Sequence, residues 1–302
     1  MKKNNEIRLQ SFIARAGLAS RRGGEEMIRT GRVLVNGKLA EIGQTVTPED
    51  VVEADGRVVR LQRIEWIALH KPKGYVTTRD DERGRKTVYE LIPAELHHLF
   101  HVGRLDRESS GILLLTNDGD GANRLLHPRY ETTKEYLVDV EGEPNQEEIR
   151  AMVKGVQLED GMAHAESVTL QDEVKEGVFR LRVVMQEGRN REVRRMMETL
   201  GYRVMRLFRR RFASIEVGKL RPGEWRRLTP EEIQRFRSAQ SPPAADSGKP
   251  SRNPRGGPRG GPRGAPAPRT ARGGTRGAPR RGDDARGGRK GGPRSKPRRP
   301  AS

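Results

Sequence analysis

The first 60 residues combine short helical and strand-like patterns of apolar side chains. Over residues 9–16 the apolar positions lie three or four residues apart, which predicts a short amphipathic helix. Gly17 ends that helix, and Ser20 is placed to cap a second helix that runs to about residue 30. Two short apolar runs then flank Asn36-Gly37, a pair that strongly favours a two-residue hairpin. The pattern predicts a small helix-helix-hairpin unit.

A longer series of strand-like and helical patterns covers residues 64–238. Continuous or alternating apolar runs predict strands, and three- to four-residue spacing with capping signals predicts helices. The predicted strands are 66–70, 75–78, 112–116, 136–140, 178–185, 204–208 and 215–217. The predicted helices are 117–126 (capped by Asn117 or Asp118), 146–154, 191–200 and 230–237. Because strands and helices do not alternate strictly, an α+β fold with a mixed, mainly antiparallel sheet is favoured over a doubly wound one.

The end of the chain has a different composition. Residues 241–302 contain 12 of the 19 prolines and no Phe, Trp, Tyr, Ile, Leu, Val or Met. Such a segment cannot bury enough apolar surface to offset its ordering entropy, so we predict a disordered tail. We therefore expect three parts: a small domain at 1–62, a larger domain at 63–239 and a disordered basic tail at 240–302.

Charge is distributed unequally between these parts. The 302 residues hold 60 Lys and Arg against 41 Asp and Glu, a formal charge of +19, of which +14 falls in residues 241–302. This excess indicates a polyanionic partner. The chain has no cysteine, which excludes disulfides and thiolate chemistry. Since no apolar run approaches the roughly 20 residues of a membrane span and no signal segment follows Met1, we expect a cytoplasmic protein.

One charged loop lies immediately before the apolar strand 112–116. In this loop, residues 103–111, Asp106 stands between Arg104 and Arg107. A neighbouring cation keeps a carboxylate ionised, and an ionised carboxylate at a protected edge can act as nucleophile, general base or electrostatic stabiliser. For an arbitrary loop aspartate, a hydrogen bond to its own turn is the more frequent role, and the spacing alone does not overturn that alternative.

Basic residues concentrate at two further places. On the predicted helix 191–200, Arg191, Arg194 and Arg195 share one face, and Arg189 precedes the helix N-terminus, a position that suits a phosphate or carboxylate. The alternative is a solvated stripe balanced by glutamates, but five more arginines between 203 and 211 favour a nucleic-acid surface. In the N-terminal unit, exposed basic side chains suit phosphate contact or, equally, a solvated face: Arg15, Arg21, Arg22, Arg29, Arg32 and Lys38.

Other site chemistries lack support in the sequence. His97, His98 and His101 lie close together but without cysteine or a carboxylate-backed helical pair, so we expect no metal. No phosphate-binding loop, dinucleotide-binding glycine motif or nucleophile elbow is present, so we expect no nucleotide cofactor and no serine hydrolase.

Four segments, in order, resemble the bacterial ribosomal pseudouridine synthases of the RsuA/RluB type, and most closely the large-subunit pseudouridine synthase B branch. They are residues 71–74 (KPKG), 103–119, 134–138 (KEYLV) and 187–196. Residues 8–55 resemble the RNA-binding module shared with small-subunit ribosomal protein four. The likeness covers roughly residues 8–235. It departs at Ser109, where Thr is frequent, and at Glu192, where Gln is common, and neither change removes a candidate catalytic group.

The resemblance implies an enzyme that isomerises a uridine of large-subunit (23S) rRNA to pseudouridine without cofactor or metal. It implies that Asp106 is the essential carboxylate, that Arg194 pairs with it, and that Tyr136 stacks on the uracil and assists removal of the C5 proton. We expect Lys71 and Arg104 near the pocket, as phosphate-binding or loop-ordering groups. The residues expected to contact RNA are Arg15, Arg21, Arg22, Arg32, Lys38, Lys71, Arg104, Arg189, Arg191 and Arg195.

Three alternatives remain beside this interpretation. A non-catalytic RNA-binding or ribosome-assembly protein would retain the basic surface but would not need Asp106, Tyr136 and Arg194 together. The same reaction on small-subunit rRNA is the second. A DNA-binding regulator is disfavoured, because no helix-turn-helix or zinc pattern accompanies the charge. The expected partner is therefore rRNA or an assembly intermediate of the large subunit, bound by a monomeric protein.

The tail gives the first testable prediction. Deleting residues 241–302 should weaken RNA binding and flatten its salt dependence, by about 0.7 in the log–log slope for each single-strand phosphate that the protein no longer binds. The measurement is the dissociation constant for rRNA at several salt concentrations, for the full and shortened chains. An unchanged slope would contradict a general phosphate-binding role for the tail.

Overall fold

The computed structural model describes residues 6–239, and its N-terminal part is the predicted helix-helix-hairpin unit. Asn36 and Gly37 both have positive φ angles, 52° and 75°, as a tight hairpin turn requires. Ser20 caps the second helix by accepting a hydrogen bond from the Gly23 backbone N–H. The elements of this unit are β1 Ile7–Arg8, α1 Leu9–Arg15, α2 Arg21–Arg29, β2 Val33–Val35, β3 Lys38–Leu39, β4 Thr45–Val46, β5 Val52–Ala54 and β6 Arg57–Val58.

This unit has its own apolar core. Leu9, Phe12 and Ile13 of α1 pack with Met27 and Ile28 of α2 and with the inward side chains of β2, β4 and β5. The four-stranded sheet has the order β3-β2-β5-β6, and β1 pairs with β4 beside it. The spacing of apolar residues in the sequence thus produces one small core, separate from those of the rest of the chain.

The larger part is built on one nine-stranded sheet. Seven strands follow the order β13-β14-β10-β15-β9-β7-β17, with β8 and β16 paired to β9 and β15. The pairing of β9 with β15 is parallel and the other pairings of this sheet are antiparallel, which confirms the predicted mixed, mainly antiparallel α+β fold. The elements are β7 Trp66–Lys71, β8 Phe100–Val102, β9 Ser109–Thr116, α3 Gly119–Leu126, β10 Lys134–Glu141, α4 Gln146–Lys154, β11 Val156–Leu158, β12 Gly161–Ala163, β13 Ser167–Lys175, β14 Val178–Met185, α5 Glu192–Thr199, β15 Val204–Phe212, β16 Ile215–Glu216, β17 Trp225–Arg227 and α6 Pro230–Ala239.

Each face of this sheet packs a different core. Leu113 and Leu115 of β9 join a cluster with side chains from α4 and α5. Ile112 and Leu114, one position out of phase, join a second cluster with side chains from α3 and α6. Alternate residues of a strand point to opposite faces, so the continuous apolar run of β9 is explained by burial on both sides.

Several sequence predictions of local structure need correction. The strand predicted at 75–78 is absent, and that segment forms only a single bridge from Val76 to Thr87. The helix predicted at 191–200 begins at Glu192, because Arg191 has a left-handed backbone with φ of 48°. Asp118 rather than Asn117 caps α3, while the Asn117 amide bonds to the backbone of the segment before β7. The predicted tail at 240–302 lies outside the described residues.

Gly111 permits the close parallel contact of β9 with β15. Its φ is 116°, and a Cβ there would overlap the backbone of Arg209, 2.6 Å from its nitrogen. We expect Gly111→Ala to lower the free energy of unfolding by about 2–4 kcal/mol, since a rigid backbone must shift. Urea unfolding measures this change in the free energy of unfolding.

Gly177→Ala is the matched control: its φ is 69° with nothing within 4 Å of the added Cβ. Gly177→Ala should lower the free energy of unfolding by only about 1–2 kcal/mol. Equal losses in the two variants would contradict the steric explanation.

Candidate active site

A cleft of about 550 Å³ opens where several loops meet the ends of β9, β10 and β15. Asp106, Tyr136 and Arg104 line it, together with Arg189 and Arg191. Arg194 and Lys71 are not among its lining residues. The structure therefore brings two of the three predicted catalytic side chains into one cavity and places the third behind its wall.

The loop that carries Asp106 is fixed from below by Lys71. The Lys71 side chain is fully buried, and its ammonium donates hydrogen bonds to the carbonyls of Pro72 (3.1 Å), Asp106 (2.9 Å) and Ser109 (2.7 Å). Burial lowers the pKa of Lys71 from 10.5 to about 8. Because three carbonyls use its three N–H groups, the geometry fits the loop-ordering alternative, and direct contact of Lys71 with RNA stays a prediction.

Arg194 holds the other end of the same loop. Its buried guanidinium donates to the carbonyls of Glu108 at 3.2 Å and Val204 at 3.4 Å. No ion pair within 4.0 Å joins Arg194 to Asp106 in the described part of the chain, although the charge of Asp106 acts against the burial that lowers the pKa of Arg194. The contact seen here thus positions the backbone that follows Asp106, and direct pairing stays a prediction.

Tyr136 lies on the cleft floor, in the middle of the sheet. It is 9 % exposed and packs with the core side chains of β10, and its strand neighbours are Val183 and Arg209. The adjacent strands on both sides thereby fix its position, and the ring borders the cleft. An aromatic ring fixed in this way suits stacking against a planar base.

Comparisons with known proteins identify this arrangement. Residues 65–199 match the family model described as RNA pseudouridylate synthase, and residues 7–52 match the S4 domain. The ribosomal large subunit pseudouridine synthase B of Bacillus subtilis is 41 % identical over 244 residues, which cover 80 % of this chain and 98 % of that protein. The chain belongs to the RNA pseudouridylate synthase family.

Two further comparisons agree with this assignment. The ribosomal large subunit pseudouridine synthase B of Vibrio cholerae is 44 % identical over 239 residues, covering 76 % of this chain and 74 % of that protein. A crystal structure described as a pseudouridylate synthase is 27 % identical, with a TM-score of 0.55, and covers 76 % of this chain and 99 % of that one. The resemblance to the RsuA/RluB type is confirmed, and the chain is an isomerase of the pseudouridine synthase class.

The arginines predicted to contact RNA differ in whether a neighbouring carboxylate neutralises their charge. Arg104 is exposed at the cleft rim, with no ion pair within 4.0 Å in the described chain. Arg189 is paired with Glu187 at 2.8 Å and with Glu192 at 3.4 Å. Arg191, at the N-cap of α5, lies 3.5 Å from Glu198. Of these three, Arg104 is the cation at the cleft that no carboxylate neutralises.

The remaining predicted contacts lie away from the cleft lining. Arg195 forms an ion pair with Asp160 at 2.8 Å, and Arg32 forms one with Asp55 at 2.6 Å. Arg21 and Arg22 are exposed at the start of α2, Lys38 is exposed on β3, and Arg15 is half-buried on α1. The Arg21 guanidinium reaches the N-terminus of α3, since a Cβ on Gly119 would lie 2.8 Å from its Nη2. The S4 module thus presents its own set of basic side chains.

Lys134 is a site residue that the sequence prediction did not assign. Its buried ammonium donates to the carbonyls of Gln186 (2.6 Å), Thr132 (3.1 Å) and Glu187 (3.2 Å), so it ties the loop of Arg189 to β10. Burial, and then the charge of Arg209, lower its pKa from 10.5 to about 8. The signal was present in the sequence, because residue 134 precedes Tyr136 by two and so shares its face of the strand.

Arg209 and Glu192 complete the charged wall of the cleft. Arg209, opposite Tyr136 in register, is 3 % exposed and donates from Nε to the Ile112 carbonyl at 2.9 Å. Its Nη2 is buried and has no hydrogen-bond partner among the described residues. Glu192 accepts from the Arg189 backbone N–H at 3.1 Å, and burial raises its pKa.

The histidines near the cleft serve the local fold. His97, His98 and His101 each have a ring nitrogen within hydrogen-bond distance of a backbone carbonyl, those of Tyr89, Glu95 and Gly103. In residues 6–239 no group of three or more His, Cys, Asp or Glu side chains is placed to hold a metal ion.

The helices of the same residues include none with the length and apolar character needed to cross a bilayer.

The lowered pKa of Lys134 predicts a pH dependence of stability. Between about pH 8 and 10.5 the unfolded chain holds the Lys134 proton and the folded protein has lost it, so stability rises with pH in this window. Lys134→Met should remove this contribution, at most about 1.4 kcal/mol per pH unit. Urea unfolding from pH 7.5 to 10 measures how the free energy of unfolding changes with pH.

Lys154→Met, at an exposed position, is the control and should keep the pH slope of the unchanged protein. A Lys134→Met curve with that same slope would contradict the prediction.

Proposed function

We propose that this protein isomerises a specific uridine of large-subunit rRNA to pseudouridine, with Asp106 as the essential carboxylate. The observation that carries the proposal is the common cleft of Asp106 and Tyr136, in a chain that spans 98 % of the large-subunit enzyme of Bacillus subtilis. The large-subunit target rests on the names of that relative and of the one from Vibrio cholerae. Such a substrate implies action in the cytoplasm.

The proposed reaction is internally balanced. The N1–C1′ bond of uridine breaks, the uracil rotates, and C5 joins C1′. The C5 hydrogen then leaves as a proton while N1 takes one up, so no electron donor, electron acceptor or second substrate is consumed. The protein has to supply orientation, an ionised carboxylate and a site for transferring the C5 proton.

The position of Asp106 supports a role in the first of these steps. Asp106 lines the cleft, its backbone carbonyl and that of Ser109 are held by Lys71, and the carbonyl of Glu108 is held by Arg194. A carboxylate held in this way either adds to C1′ of the sugar or removes a sugar proton. Both routes require the ionised form and one fixed orientation, so the observed loop anchoring supports either.

The target base must leave the RNA stack to reach this cleft. Extrusion costs a few kcal/mol, which phosphate contacts and stacking in the pocket offset. We propose that Tyr136 stacks on the extruded uracil and takes part in removal of the C5 proton, and that Arg104 binds a flanking phosphate. The S4 module, with Arg21, Arg22 and Lys38, would bind the RNA at a second point and raise the local concentration of substrate at the cleft.

The main alternative is a non-catalytic RNA-binding or ribosome-assembly protein. The presence of Asp106 and Tyr136 in one cleft argues against it, because binding alone needs neither a carboxylate among basic side chains nor its rigid support. The same isomerisation on small-subunit rRNA is the second alternative, and the names of the relatives argue against that one.

Replacement of the carboxylate tests the proposal. Asp106→Asn should abolish pseudouridine formation, measured as tritium release from large-subunit rRNA labelled at C5 of uridine, and should leave RNA affinity within a few-fold. Asp120→Asn, an exposed change on α3, is the matched control and should retain activity. Release by Asp106→Asn at the rate of the unchanged enzyme would contradict the catalytic assignment. Absence of release from large-subunit rRNA by the unchanged enzyme, with release from small-subunit rRNA, would contradict the proposed target.

A further inference from the structure

The sheet face opposite the cleft carries an ordered group of arginines. Tyr136 points into the cleft, so its neighbour Glu135 points to the other face of β10. Around Glu135 and Asp139 on that face lie five arginine side chains from β14 and β15, which we call the arginine platform: Arg180, Arg182, Arg206, Arg210 and Arg211.

Two buried carboxylates hold the platform in place. The Glu135 carboxylate is 3 % exposed and lies 2.9 Å from both Arg182 and Arg211 and 3.2 Å from Arg210. Asp139 lies 2.6 Å from Arg180 and 4.0 Å from Arg206. The guanidinium groups are therefore pre-positioned, which reduces the entropy lost when they bind a ligand.

Positive charge exceeds negative charge within the platform. Two carboxylates are shared among five guanidinium groups, which leaves a net excess of three positive charges. Two further acids near the platform, Asp172 and Glu216, form no ion pair within 4.0 Å with the platform arginines in the described chain, and Glu141 is paired with Arg203. The arginine side chains are a quarter to a half exposed, so solvent reaches this excess charge.

The dimensions and chemistry of the platform fit a nucleic-acid backbone. Arg180, Asp139 and Arg206 oppose each other across three strands, a width of about 10 Å, and the five residues from Glu135 to Asp139 span about 13 Å. The Arg206 guanidinium lies over the Phe208 ring, 5.1 Å from its centroid, so that ring face is already covered. Guanidinium forks bind phosphate oxygens, whereas base stacking needs a free aromatic face.

We propose that the arginine platform is a further docking surface, beyond the cleft and the S4 module, which binds the phosphate backbone of an RNA duplex distinct from the segment whose uridine enters the cleft. This inference rests on the proposed RNA substrate. Since duplex RNA is recognised largely through its backbone and shape, the platform would add affinity without reading sequence. Docking at a second point raises the effective concentration of the target segment, so its loss raises KM more than it lowers kcat.

Arg210→Gln with Arg211→Gln tests the platform, because Glu135 keeps Arg182 as a partner. The probe is full-length large-subunit rRNA transcribed in vitro. We expect the double variant of the full chain to raise the dissociation constant and KM about tenfold. The log–log salt slope should fall by about 0.7–0.9 for each phosphate that the variant no longer binds. The matched control removes two exposed arginines elsewhere, Arg150→Gln with Arg221→Gln, and should stay within twofold of the unchanged protein.

A second variant covers the case in which the first one unfolds. Arg206→Gln removes a platform charge while Asp139 keeps Arg180, and it should give a smaller loss in the same direction. Affinities of the folded platform variants equal to that of the control would overturn the proposal. If rRNA affinity were unchanged while modification of ribosomal precursor particles fell, the platform would bind a protein and the RNA assignment would be overturned. Inactivity of the unchanged enzyme on this rRNA would contradict the proposed function instead, whatever the variants bind.

Discussion

Two buried lysine ammonium groups set the geometry of the cleft. Lys71 binds the backbone carbonyls of Asp106 and Ser109 on one wall, and Lys134 binds those of Gln186 and Glu187 on another. An ammonium has three N–H donors and no acceptor, so it satisfies irregular backbone that no strand pairs. The functional loops are held through their main chain, which leaves side chains such as Asp106 available to substrate.

Burying these two ammonium groups costs free energy, and that cost appears in their pKa values. Burial lowers the pKa of both lysines to about 8, because the charged form loses hydration that carbonyl oxygens only partly replace. Arginine at the rim, by contrast, stays hydrated and accessible. The compact ammonium fits a cage of carbonyls, and the planar guanidinium suits carboxylates and phosphates. The buried arginines Arg194 and Arg209 also donate to backbone carbonyls and build the cleft, whereas Arg104 at the rim has no ion pair within 4.0 Å in the described chain.

Local features of the sequence predicted local structure well. Helix α4 has the predicted bounds because its capping box, Asn145 with Glu148, and its terminal Gly155 are all encoded close together in the sequence. The segment 75–78 was wrong because an apolar run becomes a strand only if a distant segment pairs with it, and here only Val76 does so. The burial of Lys71 and the position of Arg194 depend on carbonyls that are distant in the sequence, which single-sequence patterns do not reveal.

Strand β10 connects the two sides of the proposed RNA-binding surface. Tyr136 and Glu135 are consecutive, yet one belongs to the cleft and the other organises the arginine platform. The hydrophobic alternation of a half-buried strand predicts which face each residue takes, but it treats Glu135 as merely polar and outward. Its 3 % exposure shows instead that three arginines cover it. A carboxylate enclosed by cations on an open sheet face orders positive charge that would otherwise repel itself, and a phosphate backbone is the ligand that such order favours.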